Sequence, residues 1–275
     1  MRVILVPVAD RPECARALDT AFALGKNLGA SVSGCHFRPH KDSDLTLSSE
    51  FAAEAWHRKN TSLSRAAAET LYKRMAEQHG YELIHRPRIA PGALWAERVG
   101  SPHKLMSIVG PLSDLIVISR PKRKNGVASL FLNAALMHCA TPVLLLPQAG
   151  RIRTGNRVCI AWDQGAGVTR TVTASIPLLQ LADEVTVVTC GPEDRPGPKA
   201  SQLKAYLKHW GIKAKHVRTR GRHIEPELMD ACKEAKADLI ISGAYSRQRW
   251  YEKVLGGTTE FLIHETRLPV LMQHI

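Results

Sequence analysis

The residues best placed to do chemistry lie near the end of the chain. Gly243-Ala244-Tyr245-Ser246 follows the apolar run Asp238-Leu239-Ile240-Ile241-Ser242, and nine residues then intervene before Gly256-Gly257-Thr258-Thr259. The apolar run reads as a buried strand, and the second glycine pair opens a segment through His264 that reads as a helix. Glycines that bracket such a loop let backbone N–H groups approach a phosphate chain without interference from Cβ atoms. Helix N-termini add unpaired N–H donors and the positive end of a dipole. A phosphate-bearing ligand is the economical reading, although glycine pairs between a strand and a helix also serve simply as turns.

Other chemistries find less support. Gly165-Ala166-Gly167-Val168-Thr169-Arg170 follows the strand ending at Trp162 and matches a dinucleotide fingerprint except at its last position. There Arg170 would obstruct the helix packing that a third glycine permits. Asp183 and Glu184 precede the next strand, whereas a ribose-binding acid should follow it. Turn glycines explain this pair better. The sequence has no Walker loop, no Gly-x-Ser-x-Gly elbow and no His-Glu-x-x-His motif. His223 near Glu225 offers an acid–base pair only on paper, an exposed loop histidine being far commoner. Cys35, His36 and His40 could supply three metal ligands, but no fourth is in sequence reach and no metal is expected.

The chain has 275 residues, 44% of them apolar, enough for a large core in one or two domains. Six scattered cysteines include no Cys-x-x-Cys pair and argue against a disulfide or zinc framework. The opening run Val3–Val8 is too short for a signal-peptide core or a bilayer span, which predicts a cytosolic protein without membrane association. A formal net charge of +13 favours polyanionic partners. The densest basic cluster, Arg120-Pro121-Lys122-Arg123-Lys124, has no aromatic residue for base stacking, so nucleic acid is a minor reading.

Internal similarity supplies the frame. Val3–Asp10 reappears as Val158–Asp163, each a near-continuous apolar run of the kind buried on both faces of a parallel sheet. Helical periodicity follows each, over Pro12–Leu28 and over Val168–Leu181, with Pro177 predicted to kink the second. Further strands are expected at Ser31–Phe37 and Val185–Cys190. Asp114-Leu115-Ile116-Val117-Ile118-Ser119 parallels Asp238–Gly243, and Thr141–Leu145 parallels Leu268–Met272. Alternating strands and helices imply an α/β fold of βαβ units with right-handed crossovers. We expect two tandem doubly wound open parallel sheets, one in residues 1–149 and one in 150–275, meeting at a polar stretch around Gln148–Asn156. The first half carries an extra polar segment, Lys41–Ser64, and a long helix over Leu63–His79.

On these residues the chain resembles the universal stress protein family in its tandem form, over nearly its whole length. The resemblance rests on the strand ending Ala161-Trp162-Asp163, the Asp238–Gly243 strand, the glycine loop and the closing Leu268-Pro269-Val270-Leu271-Met272. The family's nucleotide motif is Gly, two residues, Gly, nine residues, then Gly and Ser or Thr. Gly243 and Gly256 hold the first and third positions, Ser246 replaces the second glycine, and Gly257 stands where Ser or Thr is usual. If position 246 requires a left-handed backbone, serine costs about 1 kcal/mol or more there.

The resemblance implies an adenine nucleotide (ATP, ADP or AMP, with or without Mg) as ligand of the second half. Asp163 would meet its adenine or ribose end, and Ala161, Trp162 and Cys190 would line the base pocket. Gly243, Ser246, Gly256, Gly257, Thr258 and Thr259 would hold ribose and phosphates. It also implies a regulatory binding protein in the stress response, with slow ATP hydrolysis at most, that presents a ligand-dependent surface to a protein partner. Pairing through the final strands would make an intramolecular pseudo-dimer, and a free strand edge could recruit a second chain. The first half departs from the pattern. Ser119 aligns with Gly243, three residues are missing before Pro142, and Ala9 stands in the place of Asp163 with Asp10 beside it. A degenerate first domain that does not bind ATP in the family manner is expected. The alternative for the whole chain is a scaffold of the same fold that binds no nucleotide.

Overall fold

The computed structural model describes residues 1–9, 11–38, 62–121, 127–149, 155–244 and 257–274. The chain divides into two compact units, Met1–Gln148 and Ala149–Ile275. Among the described residues no helix is long and apolar enough to cross a membrane.

The first unit contains strands β1 (Val3–Pro7), β2 (Ser31–Arg38), β3 (Leu83–Ile84), β4 (Ala93–Val99), β5 (Leu115–Ser119) and β6 (Val143–Leu146). They pair in parallel in the order β3-β4-β2-β1-β5-β6. Helices α1 (Pro12–Leu28), α2 (Ser62–Gln78), α3 (Pro102–Val109) and α4 (Val127–His138) provide the crossovers. All five residues of β5 are buried, as are all four of β6, which is why these segments are apolar without alternation. Pro12 starts α1, where its missing N–H costs nothing, and Leu18, Ala21, Phe22 and Gly25 form its buried side.

In the second unit β7 (Arg157–Ala161), β8 (Glu184–Cys190), β9 (Ala214–Thr219), β10 (Leu239–Gly243) and β11 (Val270–Gln273) form a parallel array ordered β11-β10-β7-β8-β9. Its helices are α5 (Ala166–Ala174), α6 (Ile176–Leu179), α7 (Ala200–His209), α8 (Ile224–Glu234) and α9 (Gly257–His264). The kink expected at Pro177 is a break at Ser175 between α5 and α6, with the proline in the first turn of α6, where no N–H is needed.

One device recurs in both units and explains the repeated Asp-Leu-Ile sequence. The Asp114 carboxylate accepts the backbone N–H groups of Arg2 at 2.6 Å and Val3 at 2.9 Å. The Asp238 carboxylate does the same for Gly155, Asn156 and Arg157 at 3.0–3.2 Å. Each aspartate thus fastens the amino end of its unit's first strand to the neighbouring strand. Cys35 and His36, considered above as metal ligands, are successive residues of β2 and so project to opposite faces. The His36 ring Nδ1 donates to the Val8 carbonyl at 2.9 Å. His40 lies outside the described residues.

Candidate functional site

The strand order of the second unit reverses between β7 and β10, with β8 and β9 on one side and β11 on the other. Crevices beyond the carboxyl ends of strands at such a switch point are where open α/β sheets bind ligands. Trp162, Asp163, Gln164 and Gly165 form the turn leading from β7 into α5. Asp163 Oδ1 accepts the Gly165 N–H at 2.9 Å, and Oδ2 faces Arg195 Nη1 at 3.3 Å. Both side chains are more than half exposed, 58% for Asp163 and 59% for Arg195, so the carboxylate is reachable and its ion pair weak.

Gln164 holds the opposite wall. Its φ of 64° is left-handed, a conformation costing a non-glycine residue about 1 kcal/mol. The buried amide compensates through three hydrogen bonds. Nε2 donates to the carbonyls of Arg195 and Gly197, and Oε1 accepts the Arg195 N–H, all at 3.1–3.2 Å. The Trp162 indole N–H donates to the Pro198 carbonyl at 2.9 Å, and its ring is buried. Together Trp162 and Gln164 fix the loop between β8 and α7 over the end of β7.

Gly243 ends β10 in close contact with the start of α5. A Cβ there would sit 2.8 Å from the Val168 nitrogen and 3.1 Å from the Gly167 carbonyl carbon. The missing side chain therefore lets strand and helix backbones touch, whereas a Cβ on Gly167 would meet the Gly243 Cα at an ordinary 3.5 Å. Glu184, weighed above as a ribose acid, starts β8 at the amino edge and pairs with Arg157 at 2.8 Å and Lys215 at 3.0 Å.

Ser246 and Gly256 lie outside the described residues. Gly257, Thr258 and Thr259 form the first turn of α9. Here the Thr258 hydroxyl donates to Glu225 Oε1 at 2.9 Å, and a Cβ on Gly257 would meet the same oxygen at 3.1 Å. Glu225 belongs to the first turn of α8, whose preceding carbonyl, Ile224, faces Cys190 Sγ at 3.8 Å. The structure thus brings Cys190 and the start of α9 to one short stretch, Ile224-Glu225. Asp163 and Gly243 flank the first turn of α5, and Ala161 ends β7 half-buried beside them.

Burial pushes the Cys190 thiol up, with the Thr219 hydroxyl opposing and the charges of Glu227 and Glu225 reinforcing the shift. That direction works against the thiolate, the nucleophilic form of cysteine. Glu227 is the opposite case. The Thr219 hydroxyl and the N–H groups of His223, Gly221 and Arg222 hold its carboxyl down at about 2. The three N–H donors stand 2.6–3.0 Å from its oxygens. Glu225, weighed above as a partner for His223 and set aside, accepts the Thr258 hydroxyl. Gln164, Arg195 and Glu227 were not anticipated. Gln164 and Arg195 meet their partners by the crossing of separate loops, which no local pattern encodes, whereas Glu227 binds backbone N–H groups only four to six residues before it.

The corresponding edge of the first unit is built differently. Ser119 carries a hydroxyl where Gly243 is bare, and donates it to the Glu13 carbonyl in α1 at 2.6 Å. Arg120, buried, follows it where Ala244 stands in the second unit. Phe37, one residue before the end of β2, stacks on Phe131 of α4 with ring centroids 5.1 Å apart. The Ala9 N–H faces Cys14 Sγ at 3.4 Å. Asp10 and the basic residues 122–126 lie outside the described residues.

The universal stress protein family model matches residues 173–274. Among solved structures, a universal stress protein from Archaeoglobus fulgidus superposes with a TM-score of 0.71 at 14% identity, covering 99% of this chain and 96% of its own. A putative universal stress protein from Pseudomonas aeruginosa gives a TM-score of 0.59 at 15% identity, covering 100% and 93%. A functionally unknown Pseudomonas aeruginosa protein gives 0.58 at 15% identity, covering 100% and 92%. No curated protein matches the sequence. At such identities these structures speak to fold, and they match it from end to end. Residues 173–274 thus match the universal stress protein family, and the chain has the α/β fold of these solved structures from end to end.

Proposed function

We propose that the second unit binds an adenine nucleotide or nucleoside at the carboxyl edge of β7, β8 and β10, and that the protein works as a regulatory binding protein. The carrying observation is convergence. Asp163, Cys190, Gly243 and the start of α9 come from four segments far apart in sequence and share one edge, around one switch point. The exposed Asp163 carboxylate is the acceptor for ribose or adenine donors, and ligand would displace its weak pair with Arg195. The first turn of α9 faces the phosphate end.

A binding role fits the titratable groups. A thiol raised by burial and a carboxylate held near 2 are both mismatched to proton transfer at neutral pH. The first unit, with Phe37 on Phe131 and Ser119 bonded to α1, is proposed not to take a nucleotide in this manner.

Calorimetric titration with adenosine and with ATP tests the reading. One site per chain is expected. Asp163→Ala should weaken adenosine binding about tenfold, the worth of a charged hydrogen bond, while lowering the thermal midpoint only slightly through loss of the bond from the Gly165 N–H. Two equivalent sites per chain, or full affinity in the variant, would contradict it.

A further inference from the structure

We propose that Glu225 sets the ligand of this site by charge, so that an adenine nucleoside or monophosphate is preferred to the triphosphate. The proposal rests on the nucleotide reading above and concerns which member of that class is taken. The first turn of α9 is where a ligand's phosphates would find N–H donors and a positive dipole end. In this protein that place already has an anion. Glu225 Oε1 accepts the Thr258 hydroxyl at 2.9 Å and lies against Gly257, 3.1 Å from where a Cβ would stand. Thr258 therefore has its hydroxyl proton committed to a carboxylate of the same chain, and the helix dipole is partly compensated. Glu227, two residues along α8, adds a second fixed negative charge held by backbone N–H groups.

A ligand phosphate reaching α9 must displace Glu225 or accept its repulsion. Repulsion grows with ligand charge whatever the detailed pose, from zero for adenosine to its largest value for ATP. The carboxylate leaves the ribose and adenine end untouched, since Asp163 and Gly165 lie on the β7 turn. Ligand discrimination should then follow phosphate number, weaken with salt and depend chiefly on the Glu225 side chain, which bonds to α9 directly.

The test is titration of wild type and Glu225→Gln with adenosine, AMP and ATP in Mg²⁺-free buffer, at low and high salt. In wild type, affinity should fall from adenosine to ATP, and the gap should narrow at high salt. Glu225→Gln should bind ATP about tenfold more tightly, as expected for removal of a close like charge, with adenosine affinity within twofold. ATP affinity that is unchanged or reduced in Glu225→Gln, with adenosine still bound, would overturn the role of Glu225 alone. Failure of both proteins to bind any of the three ligands would overturn the nucleotide reading and this proposal with it.

Discussion

Gly243→Val is expected to lower the stability of the second unit by about 3 kcal/mol or more, the upper range for overpacking against structure that cannot yield. The atoms in the way are backbone. The Val168 nitrogen would be 2.8 Å from the new Cβ, closer than real Cβ atoms stand, and the Gly167 carbonyl carbon a tight 3.1 Å away. No rotamer change relieves that contact, and the two extra methyl groups need room that β10 and α5 do not leave. Either α5 moves away from the sheet or β10 loses its register with β7. Urea unfolding followed by tryptophan fluorescence should show an early transition for the variant, because Trp162 lies at the end of β7. An unchanged midpoint would mean that the strand–helix contact is looser than described. Adenosine binding should be lost together with the fold, which separates this variant from Asp163→Ala.

The second large effect belongs to the first unit. Tyr72 of α2 is fully buried, with its hydroxyl donated to the Val32 carbonyl at 2.7 Å. Its ring packs on Phe22 and Trp95, with centroids 5.6 and 5.3 Å away. Tyr72→Ala should cost about 3–5 kcal/mol through the cavity left behind, and Tyr72→Phe about 1 kcal/mol for the lost hydrogen bond alone. Denaturant titration of the two variants measures the difference directly. A Phe variant as damaged as the Ala variant would show that the hydroxyl, rather than the ring, anchors α2 to β2.

The elements most legible in the sequence were those with the strongest physical constraint. Strands β1, β5, β7 and β10 are buried from both sides, so they had to be continuous apolar runs. Pro12 and Pro177 marked a helix start and a break because proline removes a donor. The repeated aspartate before Leu115 and Leu239 reflected a shared fastening of strand ends. Strand β9 was passed over because Ala214–Thr219 includes Lys215, His216 and Arg218 and is largely open to solvent at the edge of its sheet. Strand β4 was missed for a similar reason, since Glu97 and Arg98 interrupt its apolar character.

The candidate site was legible in its positions more than in its contacts. Gly243 was identified, but as a place for a ligand to approach. Its Cβ direction is filled by α5, so the glycine is required by packing first. Asp163 was identified, but its partner Arg195 lies 32 residues away on another loop. Glu225 was noticed beside His223, its neighbour in sequence, while its bond to Thr258 spans 33 residues. Contacts between loops depend on how crossovers bring strand ends together, and periodicity carries no information about that.

The protein is proposed to have one ligand site, on its second unit. Amide hydrogen exchange with and without saturating adenosine tests it most directly. Added protection should be confined to the turn after β7 around Trp162–Gly165, the end of β8 at Thr189–Gly191 and the first turn of α9 from Gly257. Protection centred instead on the turn after β1 and the end of β5 in the first unit, or none anywhere, would contradict it.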